Sequence, residues 1–276
     1  SPSFRHIANL FSPMSIMASL EHSGGGSIPG IKRDEGGWNT AGHASRVIEV
    51  NEKLLSTFSQ LYDEPGISLL QARLPALHSR ELVSVLEIFT NTSLRLENLD
   101  GDYFSTYMFD ETANQREGII ERNVGFNERV TDHLLVGPLF FVGNPLNKTP
   151  RRICIQNSHY DSIDLDVIVN DYMPRSVFRS ANSAIEIKTP VVPWQIEGRE
   201  AKANQFYRFI HRDMIGPSAE RTFVCAIAPR GPRHVSTVVS TAFSKNEDLL
   251  DFSAFGFSLI CDFFVKTTGM THARTN

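Results

Sequence analysis

Residues 220–276 constrain the fold of this chain more than any other stretch. A short apolar run that is partly β-branched, residues 222–228, predicts a buried strand. After a basic turn, a run rich in Val, Thr and Ser at residues 235–243 predicts a second strand. Residues 249–265 carry apolar side chains around much of a helical circumference, which predicts a buried helix. The segment therefore predicts a rigid core unit with a polar loop and a polar tail at its edges.

The first 92 residues have a mostly helical pattern. Apolar residues recur at helical spacing over residues 45–62 and again from about 77 to 89, which predicts two amphipathic helices. A shorter helix is predicted over residues 13–20. We expect the two longer helices to form a hairpin, so that residues 1–92 make a helical connector or spacer region.

Over residues 93–276 the sequence pattern changes to short apolar runs separated by turns. Paired strands are predicted over residues 103–108 and 118–124, because both runs are rich in aromatic or β-branched residues. Further short strands are predicted over residues 163–169 and 183–188, and a helix over residues 201–214. The expected fold class is α+β, an N-terminal helical hairpin followed by a mixed β-sheet region with packed helices.

Charge is distributed unevenly along the chain. The formal net charge is -4, which argues against a uniformly basic nucleic-acid-binding protein. Residues 147–276, however, hold 16 Lys and Arg against 13 Asp and Glu, whereas the preceding residues hold 11 against 18. A polyanionic partner is therefore expected to contact the second half of the chain.

The three cysteines, Cys154, Cys225 and Cys261, lack the paired spacing of a zinc site and do not suggest a disulfide framework. Free cysteines in apolar contexts are typical of a reducing compartment. No stretch has the pattern of a signal peptide, and the apolar run at 255–265 is too short to cross a membrane. These features predict a cytoplasmic protein that has no membrane partner.

Several short motifs occur in order along the chain. They are Glu220-Arg221-Thr222, the loop 229–234 with its Pro and Gly, the apolar helix 249–265 and the tail 269–272. Together they resemble the region downstream of the catalytic domain in bacterial restriction–modification DNA adenine methyltransferases, the type IIG enzymes and their phage-defence relatives. The similarity extends to residues 137–145 and 148–151, and more weakly to 74–78 and 109–112.

The resemblance implies a target-recognition and spacer region that binds double-stranded DNA. Its second partner would be a methyltransferase domain of the same polypeptide, and the parent protein would be a site-specific DNA adenine methyltransferase. The catalytic motifs themselves are not recognisable, since Asn144-Pro145-Leu146-Asn147 lacks the second proline and the stacking aromatic residue of an adenine-binding motif. We therefore expect no catalysis and no cofactor in this chain, with S-adenosylmethionine serving the parent enzyme.

Five clusters of basic and hydrogen-bonding residues lie in the second half of the chain. Such residues hold phosphates and read base edges in the major groove, although each cluster alone is also compatible with a solvated loop. We expect phosphate contacts from Lys148, Arg151, Arg152 and Arg212, and base reading by Arg230, Arg233, His234 or residues around His272. The candidate DNA-binding residues are Asn147, Lys148, Arg151, Arg152, Arg175, Arg179, Arg208, Arg212, Arg230, Arg233, His234, Thr271, His272 and Arg274.

Two alternatives remain open on the sequence. Glu186-Ile187-Lys188 has the E-x-K pattern of Mg-dependent restriction-type nucleases, with Asp161, Asp164 or Asp166 as the further carboxylate. A strand of alternating polar residues explains the same triplet. The other alternative is a protein-interaction scaffold of a defence complex, in which the acidic helical half docks a partner.

Overall fold

The computed structural model describes residues 3–92, 95–216 and 218–273, which form an α+β fold. The helices are α1 (Met14–Leu20), α2 (Glu52–Tyr62), α3 (Val83–Asn91), α4 (Ala113–Arg116), α5 (Ala184–Lys188), α6 (Asn246–Phe257) and α7 (Leu259–Thr267). The strands are β1 (Phe4–His6), β2 (Ile48–Val50), β3 (Tyr103–Thr106), β4 (Ile120–Phe126), β5 (Leu134–Leu135), β6 (Lys148–Pro150), β7 (Tyr160–Ser162), β8 (Arg175–Ser180), β9 (Val191–Ile196), β10 (Arg199–Lys202), β11 (Arg208–Arg212), β12 (Cys225–Ala228), β13 (Arg233–His234) and β14 (Val238–Phe243).

The chain groups into two compact units. The first comprises Ser1–Arg95 with Lys266–Gly269, and the second comprises Leu96–Val265 with Met270–Asn276. The short segment at 266–269 thus belongs to the helical unit, whereas the sequence pattern places it in the region 93–276.

Helices α2 and α3 pack against each other in the first unit. The Asn51 side chain caps α2 by accepting a hydrogen bond from the backbone N–H of Leu54 at 3.0 Å. Lys53 of α2 forms a 3.0 Å ion pair with Glu87 of α3. Both predicted helices are present, although α3 begins at Val83 because a 3₁₀ turn, Arg80–Leu82, precedes it. Their expected arrangement as a hairpin stays a prediction.

Helix α1 packs through its small residues and exposes its large ones. Ser15 and Ser19 are buried, and the Ser15 hydroxyl donates to the Thr40 carbonyl at 2.6 Å. Met14, Met17 and Leu20 are 72, 51 and 45% exposed. Helix α1 also lies so close to Gly42 that any side chain at that position would collide with the helix backbone. The interior contact of α1 therefore depends on small size and hydrogen bonds, not on apolar burial.

A four-stranded antiparallel sheet in the order β12-β11-β14-β3 forms the core of the second unit. Strand β11 has partners on both sides, so that Phe209 lies opposite Ile227 of β12 and Thr241 of β14. Helix α6 covers this sheet, and the Phe252 ring contacts the Phe209 ring edge to face at 4.9 Å between centroids. The two strands predicted over 222–228 and 235–243 are present as β12 and β14.

The predicted helix over residues 201–214 is wrong. These residues complete β10, make a 3₁₀ turn at Ala203–Gln205 and continue as β11. Arg208, His211 and Arg212 lie at the spacing of a polar helix face, which is why the sequence suggested one. In the sheet, Arg208 and His211 are buried, because the central strand β11 is covered on both faces. A strand covered in this way need not alternate between apolar and polar residues.

Four other local predictions also differ from the structure. Residues 183–188 form α5 and not a strand, and residues 163–169 form no strand. Strands β3 and β4 do not pair with each other, since β3 pairs with β14 and β4 with β8. The apolar run 249–265 is divided into α6 and α7 at Ser258, whose extended backbone ends α6. None of the helices in the described ranges is long and apolar enough to cross a membrane.

Gly256 allows α6 to approach β11 closely. A Cβ atom at this position would lie 2.6 Å from Cε2 of Phe209, and the Gly256 carbonyl accepts a hydrogen bond from the Cys225 thiol at 3.2 Å. Interiors are packed too densely to absorb a new methyl group at that distance without displacing the ring.

We expect Gly256→Ala to lower the free energy of unfolding by about 1–2 kcal/mol, because overpacking against Phe209 outweighs the helix-propensity gain of about 1 kcal/mol. Urea denaturation measures the change. The matched control is Ala254→Gly at an exposed position of the same helix, which reports propensity alone. A stabilised Gly256→Ala protein would contradict the close packing described here.

Candidate nucleic-acid interface

Two arginines of β11 hold the two loops on which the candidate site is built. Arg208 is fully buried, and its guanidinium donates to the Pro232 carbonyl and to the Met108 sulfur. Arg212 donates from Nε to the Gly137 carbonyl at 2.7 Å and from Nη2 to the Phe140 carbonyl. Both residues were predicted to contact DNA, and that prediction is corrected, because their donor groups are turned inward to backbone oxygens.

Arg233 and His234 are also part of the interior and do not form the predicted base-reading edge. Arg233 is 5% exposed, donates to the Thr189 hydroxyl at 2.8 Å and forms an ion pair with Glu186. His234 is fully buried and shares a 2.7 Å hydrogen bond with the Ser240 hydroxyl. The short strand β13 explains this burial, since it pairs in parallel with β5 inside the second unit.

A pocket of about 290 Å³ lies where the two arginine-held loops meet. Leu139, Pro145 and Leu146 come from one loop, and Pro229 and Pro232 come from the other. Tyr172, Met173, Pro174 and Tyr207 contribute to the remaining wall. Residues 137–145, 148–151 and 229–234, three of the segments on which the sequence resemblance was based, therefore contribute to one pocket.

His133 lines the pocket and carries a buried ring nitrogen that has no hydrogen-bond partner among the described residues. The unpartnered atom is Nε2, and the residue is 3% exposed. The Asn127 side-chain amide lies 3.4 Å from Nδ1. If that amide donates to Nδ1, the neutral ring carries its proton on Nε2, which is then a donor. Burial lowers the pKa of His133 to about 4, so the ring is neutral at physiological pH.

Cationic side chains lie at the edge of this pocket. Lys148 lines it directly, and the Arg230 guanidinium stacks 5.0 Å from the ring centroid of Tyr207, which also lines it. Arg230 is exposed, and Asn147 and Lys148 are half-buried. Of the fourteen predicted contact residues, Lys148 lines the pocket, Arg230 contacts a lining residue, and Asn147 adjoins Lys148 in the chain.

The remaining basic residues near β6 and β8 differ in how accessible they are. Arg151 and Arg152 are exposed, and Arg151 forms a 2.9 Å ion pair with the exposed Asp161. Arg175 donates to the Pro150 carbonyl at 3.3 Å, and Arg179 donates to the Phe126 carbonyl at 2.6 Å. Exposed ion pairs are weak, so Arg151 is available to a phosphate, whereas Arg175 and Arg179 support local structure.

The C-terminal tail is attached to β11 through one buried carboxylate. His272 Nδ1 lies 2.9 Å from Oδ2 of Asp213, and the Tyr107 hydroxyl donates to the other carboxylate oxygen at 3.3 Å. Thr271 is exposed, and its carbonyl accepts from the Ile215 N–H at 2.9 Å. The prediction for Arg274 falls outside the residues that the structure describes.

The geometry of the E-x-K triplet does not suit a nuclease. Glu186 and Lys188 lie on the short helix α5, not on a strand, and both are already paired, Glu186 with Arg233 and Lys188 with Glu117. Within residues 3–92, 95–216 and 218–273, no group of three or more His, Cys, Asp or Glu could hold a metal ion. The structure therefore offers no support for the Mg-dependent alternative.

Sequence reasoning did not identify His133, Tyr172 or Tyr207 as site residues. Each lies in a segment that carries no motif, and the pocket forms only because distant loops meet. No sequence signal linked Tyr207 to its cation, since Arg230 comes from a different loop.

No protein-family model matches this chain, and the searches of curated proteins and of solved structures found no match either. Any functional assignment consequently depends on the residues and their geometry.

We expect Arg212→Met to loosen the loop at 137–146 while leaving the sheet intact. Hydrogen bonds to a charged group contribute about 1.5–3 kcal/mol, so the amides of Phe141 and Asn144 should exchange with solvent at least roughly tenfold faster. Hydrogen exchange followed by NMR measures this, with β14 amides as the internal reference. Arg152→Met, at an exposed arginine, is the matched control and should exchange as the wild type does.

The protein should lose stability as the pH falls from 6.5 towards about 4. Burial lowers the pKa of His133 to about 4 and that of His234 to about 3 from an unperturbed value of 6.5. In this window the unfolded chain takes up protons that the folded protein does not, so acid favours unfolding, by about 3 kcal/mol for His133 alone. Urea denaturation across this range should show a shallower pH dependence for His133→Phe. Parallel curves for the two proteins would contradict the assignment.

Proposed function

We propose that this chain is the target-recognition and spacer region of a bacterial restriction–modification DNA adenine methyltransferase. It binds double-stranded DNA without covalent chemistry and positions a target base for a methyltransferase domain of the same polypeptide. S-adenosylmethionine serves that domain, and this chain itself takes no cofactor. The observation that supports the proposal is the meeting of residues 137–151 and 229–234 at one pocket with a cationic edge.

The cations available to phosphates are a subset of the candidate DNA-binding residues. Lys148 and Arg230 lie at the pocket edge, and Arg151 and Arg152 are exposed at the end of β6. Arg208, Arg212 and Arg233 instead hold the loops from within. The role of the inner arginines is thus to fix the shape of the surface, and the outer residues make the contacts that depend on salt.

The exposed apolar side chains of α1 support the second candidate, a protein-interaction scaffold. Met14, Met17 and Leu20 project into solvent from the acidic first half of the chain. Large exposed apolar residues grouped on one helix commonly mark a protein contact. The two candidates are compatible if the methyltransferase domain is the protein that covers this helix.

Binding to mixed-sequence duplex DNA should weaken linearly on a logarithmic scale as salt increases. The double variant Lys148→Ala with Arg230→Ala should bind less tightly, with a salt slope reduced by about 0.9 for each lost phosphate contact. Fluorescence anisotropy of a labelled duplex measures both. Lys53→Ala with Arg80→Ala, at two exposed cations of the first unit, is the matched control and should keep the wild-type slope.

Binding that is indifferent to salt would refute phosphate recognition. If the protein binds no duplex DNA but still binds another subunit of its complex, the protein-interaction scaffold is the favoured function.

A further inference from the structure

The pocket beside Lys148 and Arg230 has the size of a site for one small ring system. Its volume of about 290 Å³ is at the lower end of the range of small-molecule sites, about 300–1,000 Å³. Its walls are aliphatic, proline and aromatic side chains, including Leu146, Tyr172 and Tyr207. Such a pocket excludes a large dinucleotide cofactor and suits a flat group with two apolar faces.

An occupant of the pocket could form a hydrogen bond with the buried ring of His133. The unpaired Nε2 of His133 is a buried polar atom, and an unmade hydrogen bond at such a group costs about 1–3 kcal/mol. An occupant with a hydrogen-bonding group on its ring edge would satisfy this atom. A purely apolar occupant would leave it unpaired.

The cations beside the pocket favour an occupant that carries negative charge. Lys148 lines the pocket, and the exposed Arg230 stacks on Tyr207, another lining residue, so two cations lie close to any ring bound there. A flat ring with a polar edge and an attached phosphate combines all three requirements, and a nucleotide has this composition.

We propose that this pocket binds a single nucleobase that has left the DNA stack, with the base edge at His133 and its phosphate at Lys148 and Arg230. The inference rests on the proposed function, since duplex DNA would supply the nucleotide. Unstacking a base costs a few kcal/mol, and contacts with the pocket walls and the two cations would offset that cost.

The test is an NMR titration of the protein with dAMP, dGMP, dCMP and dTMP, observed at the His133 ring, because single nucleotides need no extrusion. At least one nucleotide should shift these signals to saturation. Leu146→Trp fills the pocket while keeping both cations, and it should weaken binding at least tenfold. Leu165→Trp, at a half-exposed leucine outside the pocket, is the control and should bind as the wild type does.

His133→Phe keeps a ring of similar shape without the nitrogen. Followed at the backbone amide of Leu146, because this variant has no histidine ring to observe, it should bind roughly tenfold more weakly and lose any preference among the four bases, since about one hydrogen bond is removed. Unfolding curves establish that each variant is folded, and the wild-type titration decides the question even where a variant is not.

The inference is overturned if no nucleotide shifts the His133 signals, if Leu146→Trp binds as well as the wild type, or if indole competes as strongly as every nucleotide. Salt-dependent duplex binding measured on the same samples separates the two proposals. Duplex binding without nucleotide binding removes only the pocket assignment, whereas nucleotide binding without duplex binding removes the proposed function.

Discussion

The second unit depends on side-chain hydrogen bonds that run from its central strand to backbone carbonyls. Arg208 and Arg212 are fixed by β11, and each donates hydrogen bonds to the backbone of a loop outside the four-stranded sheet. Neither forms an ion pair with a carboxylate in the described part of the chain, and burial lowers the pKa of both, that of Arg208 to about 9. A guanidinium suits this role because its five donors lie in a rigid plane and it keeps its charge when it is partly dehydrated.

Burying these cations is unfavourable unless carbonyl oxygens replace the lost water. The two loops provide those oxygens, so the arginines and the loops stabilise each other. Arg233 extends the same arrangement by connecting its loop to Thr189 and Glu186. The internal arginines consequently fix the position of the pocket wall. Lys148 and Arg230 are the cations at its outer edge.

The sequence predicted the parts of the fold in which local pattern and tertiary environment agree. Strands β12 and β14 and helices α1, α2 and α3 follow from periodicity and from β-branched composition. The sequence-based prediction was wrong at β11, a strand that is covered on both faces and contains arginine and histidine. The polar residues of this strand have the spacing of a helix face, which is why a helix was predicted. The prediction was also wrong at Glu186 and Lys188, because five residues are too few to distinguish a helix from a strand.

The site was predictable only in part. The loops at 137–151 and 229–234 were identified by resemblance, but whether an arginine points outward or inward is decided by neighbours that are distant in sequence. Tyr172, Tyr207 and His133 come together from three separate segments, and no motif links them. Basic composition therefore pointed to the half of the chain that contains this pocket, without indicating which cations face solvent and which are turned inward.

In helix α1 the residues that support the fold are different from the large apolar residues exposed at the surface. Its interior face is made of Ser15 and Ser19, so the fold does not depend on burying Met14, Met17 or Leu20. Replacing these three residues by polar ones should alter the colloidal behaviour of the protein far more than its free energy of unfolding. The tendency of the chain to self-associate can thus be adjusted at this helix independently of how firmly it folds.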